Sequence, residues 1–199
     1  MAARVIVLAG PSGSGKSYLA RRLALPVFRL DDFYRDGDDP ALPRIDHGAN
    51  AGLVDWDDVG SWRLDEACAA LEELCRTGRV ETPVYDLSAS ARTGRRTLDL
   101  AGRRLVVAEG IFAPAVVEPL REAGLLAAAY VIRRHPVVTF WRRLTRDLRE
   151  HRKPPLVLVR RGLALMRDQR RVVDEAVAAG CEPVTADRAY AAVRRLPVG

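Results

Sequence analysis

The residues Gly10-Pro11-Ser12-Gly13-Ser14-Gly15-Lys16-Ser17 spell G-x-x-x-x-G-K-S directly after the apolar run Val5-Ile6-Val7-Leu8-Ala9. That spacing suits one kind of chemistry, the handling of a polyphosphate. Glycines let successive backbone N–H groups curl around an anion, and a helix opening at Lys16 adds its positive N-terminal end. All eight residues are candidates to hold a nucleoside triphosphate. Lys16 is placed to reach the β and γ oxygens, and the Ser17 hydroxyl to ligate Mg²⁺. Lys16 and Lys153 are the only lysines, because the chain otherwise carries its positive charge as arginine.

Transfer of a phosphoryl group needs more than a loop: a metal anchor, a group that positions the acceptor, cations for the moving charge, and exclusion of water. Glu109 follows the apolar run Leu105-Val106-Val107-Ala108. An acid at the C-terminal end of a buried strand faces the crevice where such sheets bind ligands, and there it could share Mg²⁺ with Ser17. Its plainer reading is a carboxylate that caps the next turn. Asp31 and Asp32 leave the second strand in Asp31-Asp32-Phe33-Tyr34, where a carboxylate could take the acceptor's proton or serve as a metal ligand. Nearby cations are expected to hold that carboxyl low. The plainer reading is a turn-forming pair. Arg142, Arg143 and Arg146 share one predicted helix, with Arg152 and Lys153 just beyond. They could clamp the transferred group from a mobile lid hinged at Pro154-Pro155, or form a solvated basic face.

These residues need a frame, and strand and helix signals alternate as a parallel sheet with helices on both faces requires. Strands are expected at 4–9, 27–30, 105–108, 127–132 and near Val184, with helices at 16–24, 61–77, about 135–150, up to about 179, and at the end. The helix over 61–77 takes Ser61 as N-cap and Gly78 as terminator. Its residues Leu64, Ala67, Cys68, Leu71, Leu74 and Cys75 keep the 3.6-residue period of one buried face. Residues 35–60, rich in Asp, Gly and Pro, read as loop. The pieces Arg79–Tyr85 and Arg96–Leu100, around a turn with Gly94, read as a hairpin.

The chain has 199 residues, 48% hydrophobic and 29% charged, with net charge +6. It is long enough for a proper core and reads as a single domain, 1–199, with a lid. Its arginines are dispersed as pairs among acids, without the aromatic interleaving of a single-strand binder, so no nucleic-acid partner is expected. The apolar first run is too short to span a membrane, and cytoplasmic residence is expected. The three cysteines lack metal-ligand or redox spacing and read as small core residues. Asn50, the only asparagine, is followed by Ala51, so the guanine-reading N-K-x-D of signalling GTPases is absent.

Taken in order, GPSGSGKS at 10–17, DDFY at 31–34, VDWDD at 54–58, PVYD at 83–86, VVAEGIF at 106–112 and RRLTRD at 142–147 resemble the uridine kinase branch of the P-loop small-molecule kinases. The resemblance runs from residue 5 to about 153. It implies a three-layer P-loop NTPase α/β fold with a parallel sheet, an acceptor-site hairpin at about 80–103 and a helical lid at about 142–160. It further implies ATP and Mg²⁺ as cofactors, a nucleoside-like acceptor, and a homo-oligomer as in many relatives. By the same resemblance Asp31 is the catalytic aspartate, Glu109 the acid of the magnesium site, and Arg143 and Arg146 lid arginines acting with Lys16. Asp55 would hold ribose hydroxyls, Tyr85 would sit beside the nucleoside, and Arg92 would close that segment.

Two departures from the pattern stand out: in the lid, His151 replaces the arginine beyond RRLTRD, with Arg152 adjacent and Lys153 at the next matching position, and two positions differ on the acceptor side. Leu87 stands where the family carries an aromatic residue, and Ser90 where it carries a base-reading histidine. A serine there can hydrogen-bond but cannot stack. The acceptor therefore stays open between uridine or cytidine and another small molecule. A nucleotide-binding regulator without transfer activity is the reading from a different class.

Overall fold

The computed structural model describes residues 2–11, 13–149 and 169–196, without the side chains of residues 49, 142, 143 and 146–149. Strand β1 (Arg4–Ala9) lies at the centre of a five-stranded parallel sheet. The others are β2 (Val27–Arg29), β5 (Leu105–Glu109), β6 (Leu126–Ile132) and β7 (Glu182–Val184), in the order β2-β5-β1-β6-β7. Pairing β1 to β5 from Arg4↔Leu105 to Leu8↔Glu109 brings the ends of both strands to one edge. The phosphate loop follows one of them and the acid of Glu109 ends the other. Because successive side chains of a strand face opposite ways, β1 serves two cores. Val5, Val7 and Ala9 pack on one side with α2 (Leu64–Thr77) and α3 (Val117–Glu122). Ile6 and Leu8 pack on the other with α1 (Lys16–Leu23) and α6 (Ala186–Val193). Helices α4 (Pro136–Arg149) and α5 (169–178) follow β6.

Outside this sheet, β3 (Arg79–Asp86) and β4 (Ala91–Asp99) form the expected hairpin, but its turn is not at Gly94. Gly94 lies within β4 opposite Val84, and the chain reverses over 87–90. The cause is Asp86, whose Oδ1 accepts from the Ser88 N–H at 2.7 Å and the Ser88 hydroxyl at 2.6 Å. Ser90 completes the turn at φ 49°. The Ser61 cap is also corrected. Ser61 lies in a 3-10 turn, Val59–Ser61, and its hydroxyl donates to the carbonyls of Asp58 (2.7 Å) and Trp56 (3.3 Å). Helix α2 starts three residues later with Asp65 and Glu66 in its first turn, where acids complement the helix dipole. It ends at Gly78, whose φ of 81° fits a left-handed terminator.

All three cysteines are unpaired, with Cys75 and Cys181 buried and Cys68 partly so. Burial pushes each thiol up to about 11, so they pack as protonated apolar groups. Among the described residues no helix is long and apolar enough to cross a membrane.

Candidate active site

The phosphate loop is shaped by what its glycines permit. Gly10, Gly13 and Gly15 take φ of 130°, 87° and 108°, angles that turn consecutive N–H groups inward. At Gly10 there is no room for anything larger, since a Cβ would meet the Ile132 carbonyl oxygen at 2.9 Å. Helix α1 begins without a side-chain cap and without an acid in its first turn. The positive end of its dipole is thus not offset by an acid there, which fits a nucleotide phosphate. The Lys16 ammonium lies along the loop, donating to the carbonyls of Gly10 (2.6 Å) and Pro11 (3.3 Å). A contact the sequence did not reveal braces the loop from behind: Arg134, just past β6, donates through Nε to the Ser14 carbonyl at 3.2 Å. Gln169 of α5 in turn holds the Arg134 carbonyl at 2.7 Å. Ser12 lies outside the described residues.

Ser17 and Glu109 meet although 92 positions separate them: the Ser17 hydroxyl donates to Glu109 Oε2 at 3.1 Å. A hydroxyl and a carboxylate are the hard oxygen donors Mg²⁺ takes, usually with only one or two carboxylates and the rest water and phosphate. That donor set fits Mg²⁺, and no cluster of three or more His, Cys, Asp or Glu exists among the described residues to suggest another metal. Asp31 adjoins this pair. It sits in a 3-10 turn, Leu30–Phe33, directly after β2, and its Oδ1 accepts the Ile111 N–H at 2.8 Å. Gly110 makes the approach possible, since a Cβ there would lie 2.7 Å from Asp31 Oδ1.

The expectation that cations hold the Asp31 carboxyl low is corrected. Its carboxyl stands above the ordinary range because the surrounding protein desolvates it, although the residue as a whole is exposed. The Ile111 N–H, Lys16 and Arg29 pull it down, and Asp32 pushes it up. Desolvation prevails. A raised pKa makes Asp31 a better base than a fully solvated carboxylate.

Beside the hairpin, Tyr34, Trp56, Tyr85 and Phe112 form an aromatic cluster, with Tyr34 at 5.8, 5.6 and 5.7 Å from the other three rings. Burial raises the Tyr34 phenol, reinforced by Asp31 and Asp57 nearby. Tyr85 donates its hydroxyl to the Arg35 carbonyl at 3.0 Å. Asp55 accepts the Asp57 N–H at 3.1 Å, and the Ser90 carbonyl accepts the Gly37 N–H at 2.7 Å. Arg92 is engaged by Glu66 of α2 through two parallel bonds of 2.8 Å, with its own N–H on Asp36 at 2.7 Å. These contacts show Tyr85, Ser90 and Arg92 fixing the hairpin against its surroundings. The side chains of Arg143 and Arg146 lie outside the described residues, as do residues 151–153.

Tyr85→Phe is expected to lower stability by about 0.5–1.5 kcal/mol through loss of the bond to the Arg35 carbonyl. A shift of the urea midpoint with unchanged slope would register it.

A glycine-shaped phosphate loop between the central strand of a parallel sheet and a helix, with an acid at the next strand's end, defines a P-loop α/β nucleotide-binding protein. The chain belongs to the phosphoribulokinase / uridine kinase family, whose model matches residues 5–154. Among solved structures it is similar to a protein from Silicibacter sp. TM1040 named as a fructose transport system kinase, with TM-score 0.62 and 17% identity. That likeness covers 87% of this chain and 85% of the other, and shows the shared fold. Two curated relatives from Arabidopsis thaliana are the inorganic pyrophosphatases TTM2 and TTM1, 33% identical over 114 residues and 32% over 117. Each match takes in 55% of this chain but only 15% and 16% of the relatives' own length.

Proposed function

We propose that this chain transfers the γ-phosphoryl group of ATP to a hydroxyl of a small, nucleoside-like acceptor. The carrying observation is that Ser17, just past the phosphate loop, meets Glu109 at 3.1 Å while Asp31 holds the N–H of Ile111, two residues beyond Glu109. In this reading the loop N–H groups and Lys16 hold the phosphates, and the charges of Arg143 and Arg146 would balance that of the transferred group. Ser17 and Glu109 would hold Mg²⁺, with Asp31 as a second carboxylate, and the ion would neutralise charge on the β and γ oxygens. Asp31 orients the acceptor hydroxyl and takes its proton as the new P–O bond forms and the bond to the β-phosphate oxygen breaks. Asp55 and Ser90 offer hydrogen bonds to the acceptor, while Tyr85 and Arg92 keep the aromatic cluster and hairpin in place. The three unpaired cysteines support a reducing compartment such as the cytoplasm.

The test is ATP and Mg²⁺ with a panel containing uridine, cytidine and unphosphorylated sugars, read by mass spectrometry of the acceptor. Acceptor-dependent ADP release with one phosphate added to the acceptor supports the reading. Nucleotide binding without any phosphorylated acceptor defeats it. A second reading, hydrolysis of a phosphoanhydride with water as acceptor, is favoured by the identity with the two pyrophosphatases. Phosphate released from pyrophosphate without an acceptor would support that reading instead.

A further inference from the structure

Asp31 and Asp32 are neighbours in one turn, yet their carboxylates leave it in different directions. Asp31 meets the Ile111 N–H beside the phosphate loop. Asp32 is withdrawn from solvent, its side chain 8% exposed, and its Oδ2 accepts Arg96 Nη2 at 3.0 Å. Its Oδ1 faces the Tyr85 N–H at 3.5 Å. Both partners belong to the hairpin. Arg96 stands on the side of β4 where Arg92, Arg96 and Leu98 are partly covered, and the Thr82 hydroxyl donates to its carbonyl at 3.3 Å.

The two sides of this contact differ in firmness. The turn is fixed: Leu30 and Phe33 are buried, Phe33 stacks on Phe28 at 5.3 Å, and the Trp62 indole N–H donates to the Leu30 carbonyl at 2.7 Å. The hairpin has only two strands, which is marginal alone in water. An ion pair that is mostly buried on its acidic side is costly to break, because the remaining charge is left without a counterpart.

We propose that Asp32 is a positioning residue that, through Arg96, clamps the β3–β4 hairpin onto the turn carrying Asp31. The fixed turn thereby holds the acceptor's seat at a constant spacing from the group that orients its hydroxyl. This rests on the reading of Asp31 and the hairpin given above.

The experiment uses the full chain, comparing wild type with Asp32→Asn, Arg96→Gln and Arg96→Lys, and follows residues 79–99 by amide hydrogen exchange. Asp32→Asn and Arg96→Gln should each speed hairpin exchange roughly tenfold or more while β1, β5 and β6 keep their protection. Arg96→Lys, which retains the charge, should keep most of the wild-type hairpin protection. In the transfer assay, Asp32→Asn and Arg96→Gln should lower kcat with the KM for ATP unchanged. Unchanged hairpin exchange, or protection lost throughout the sheet, would each overturn the clamp. If no acceptor is phosphorylated the proposed function fails, while exchange still decides the clamp.

Discussion

Asp31→Asn is expected to lower acceptor phosphorylation by about 10²–10⁴-fold while raising thermal stability. The loss follows because an amide can neither accept the acceptor's proton nor serve as an anionic metal ligand. The gain follows from linkage. The folded-state pKa of Asp31 lies above its unfolded value, chiefly through desolvation, so the native state binds its proton more tightly than the unfolded chain does. Stability contributed by this group is therefore present at low pH and lost as pH rises through the folded pKa, which leaves the ionised form unfavourable at neutral pH. The asparagine escapes that cost. Calorimetry at neutral pH should show a higher Tm for the variant, and the difference should narrow as pH falls. The wild-type rate should have an acid limb above the ordinary carboxylate value. A variant that loses activity and also melts earlier would show that Asp31 is a structural group.

Gly110→Ala is expected to cause the second large effect, although Gly110 carries no chemistry. Its added methyl would lie 2.7 Å from Asp31 Oδ1 and 2.7 Å from Leu30 Cβ. Leu30 is fully buried and cannot retreat, so Asp31 must shift and its bond to the Ile111 N–H must lengthen. Overpacking of this kind costs about 1–3 kcal/mol. Displacing an orienting group by an ångström costs about 100-fold in rate. Nucleotide affinity should be unchanged, because the phosphate loop is built by other residues. Titration with an ATP analogue beside a kcat measurement separates the two: equal losses in both would refute the assignment of this glycine to Asp31.

The parts of the site that were readable in advance are those whose geometry is local. The glycines of the loop, the helix opening at Lys16, and Glu109 at the end of an apolar strand all follow from spacing within a few residues. Their convergence follows from the rule that parallel strands present their C-terminal ends to one crevice. What escaped was set by competition or by distance. At the hairpin, Gly94 looked like the turn, but the Asp86 carboxylate captured the N–H of Ser88 and moved the reversal upstream. Ser61 looked like a cap, but its hydroxyl was drawn to the carbonyls of Trp56 and Asp58. The state of Asp31 depended on how much protein surrounds it, which adjacent cations in the sequence could not indicate. The Arg96–Asp32 contact had one sequence signal: Arg92 and Arg96 fall on the same side of β4, where half-covered guanidinium groups call for acids.

The central place of β1 has a consequence for the order in which the molecule can assemble. Its partners on either side, β5 and β6, lie about a hundred or more residues downstream, as Arg4↔Leu105 and Val5↔Leu126 show. At ribosomal speeds of about 5–20 residues per second, the first strand and the loop behind it wait roughly 5–20 s before either neighbour emerges. The loop residues, translated about a hundred residues ahead of β5, are therefore completed late, and the nascent segment depends on a chaperone or on its own solubility in the interval.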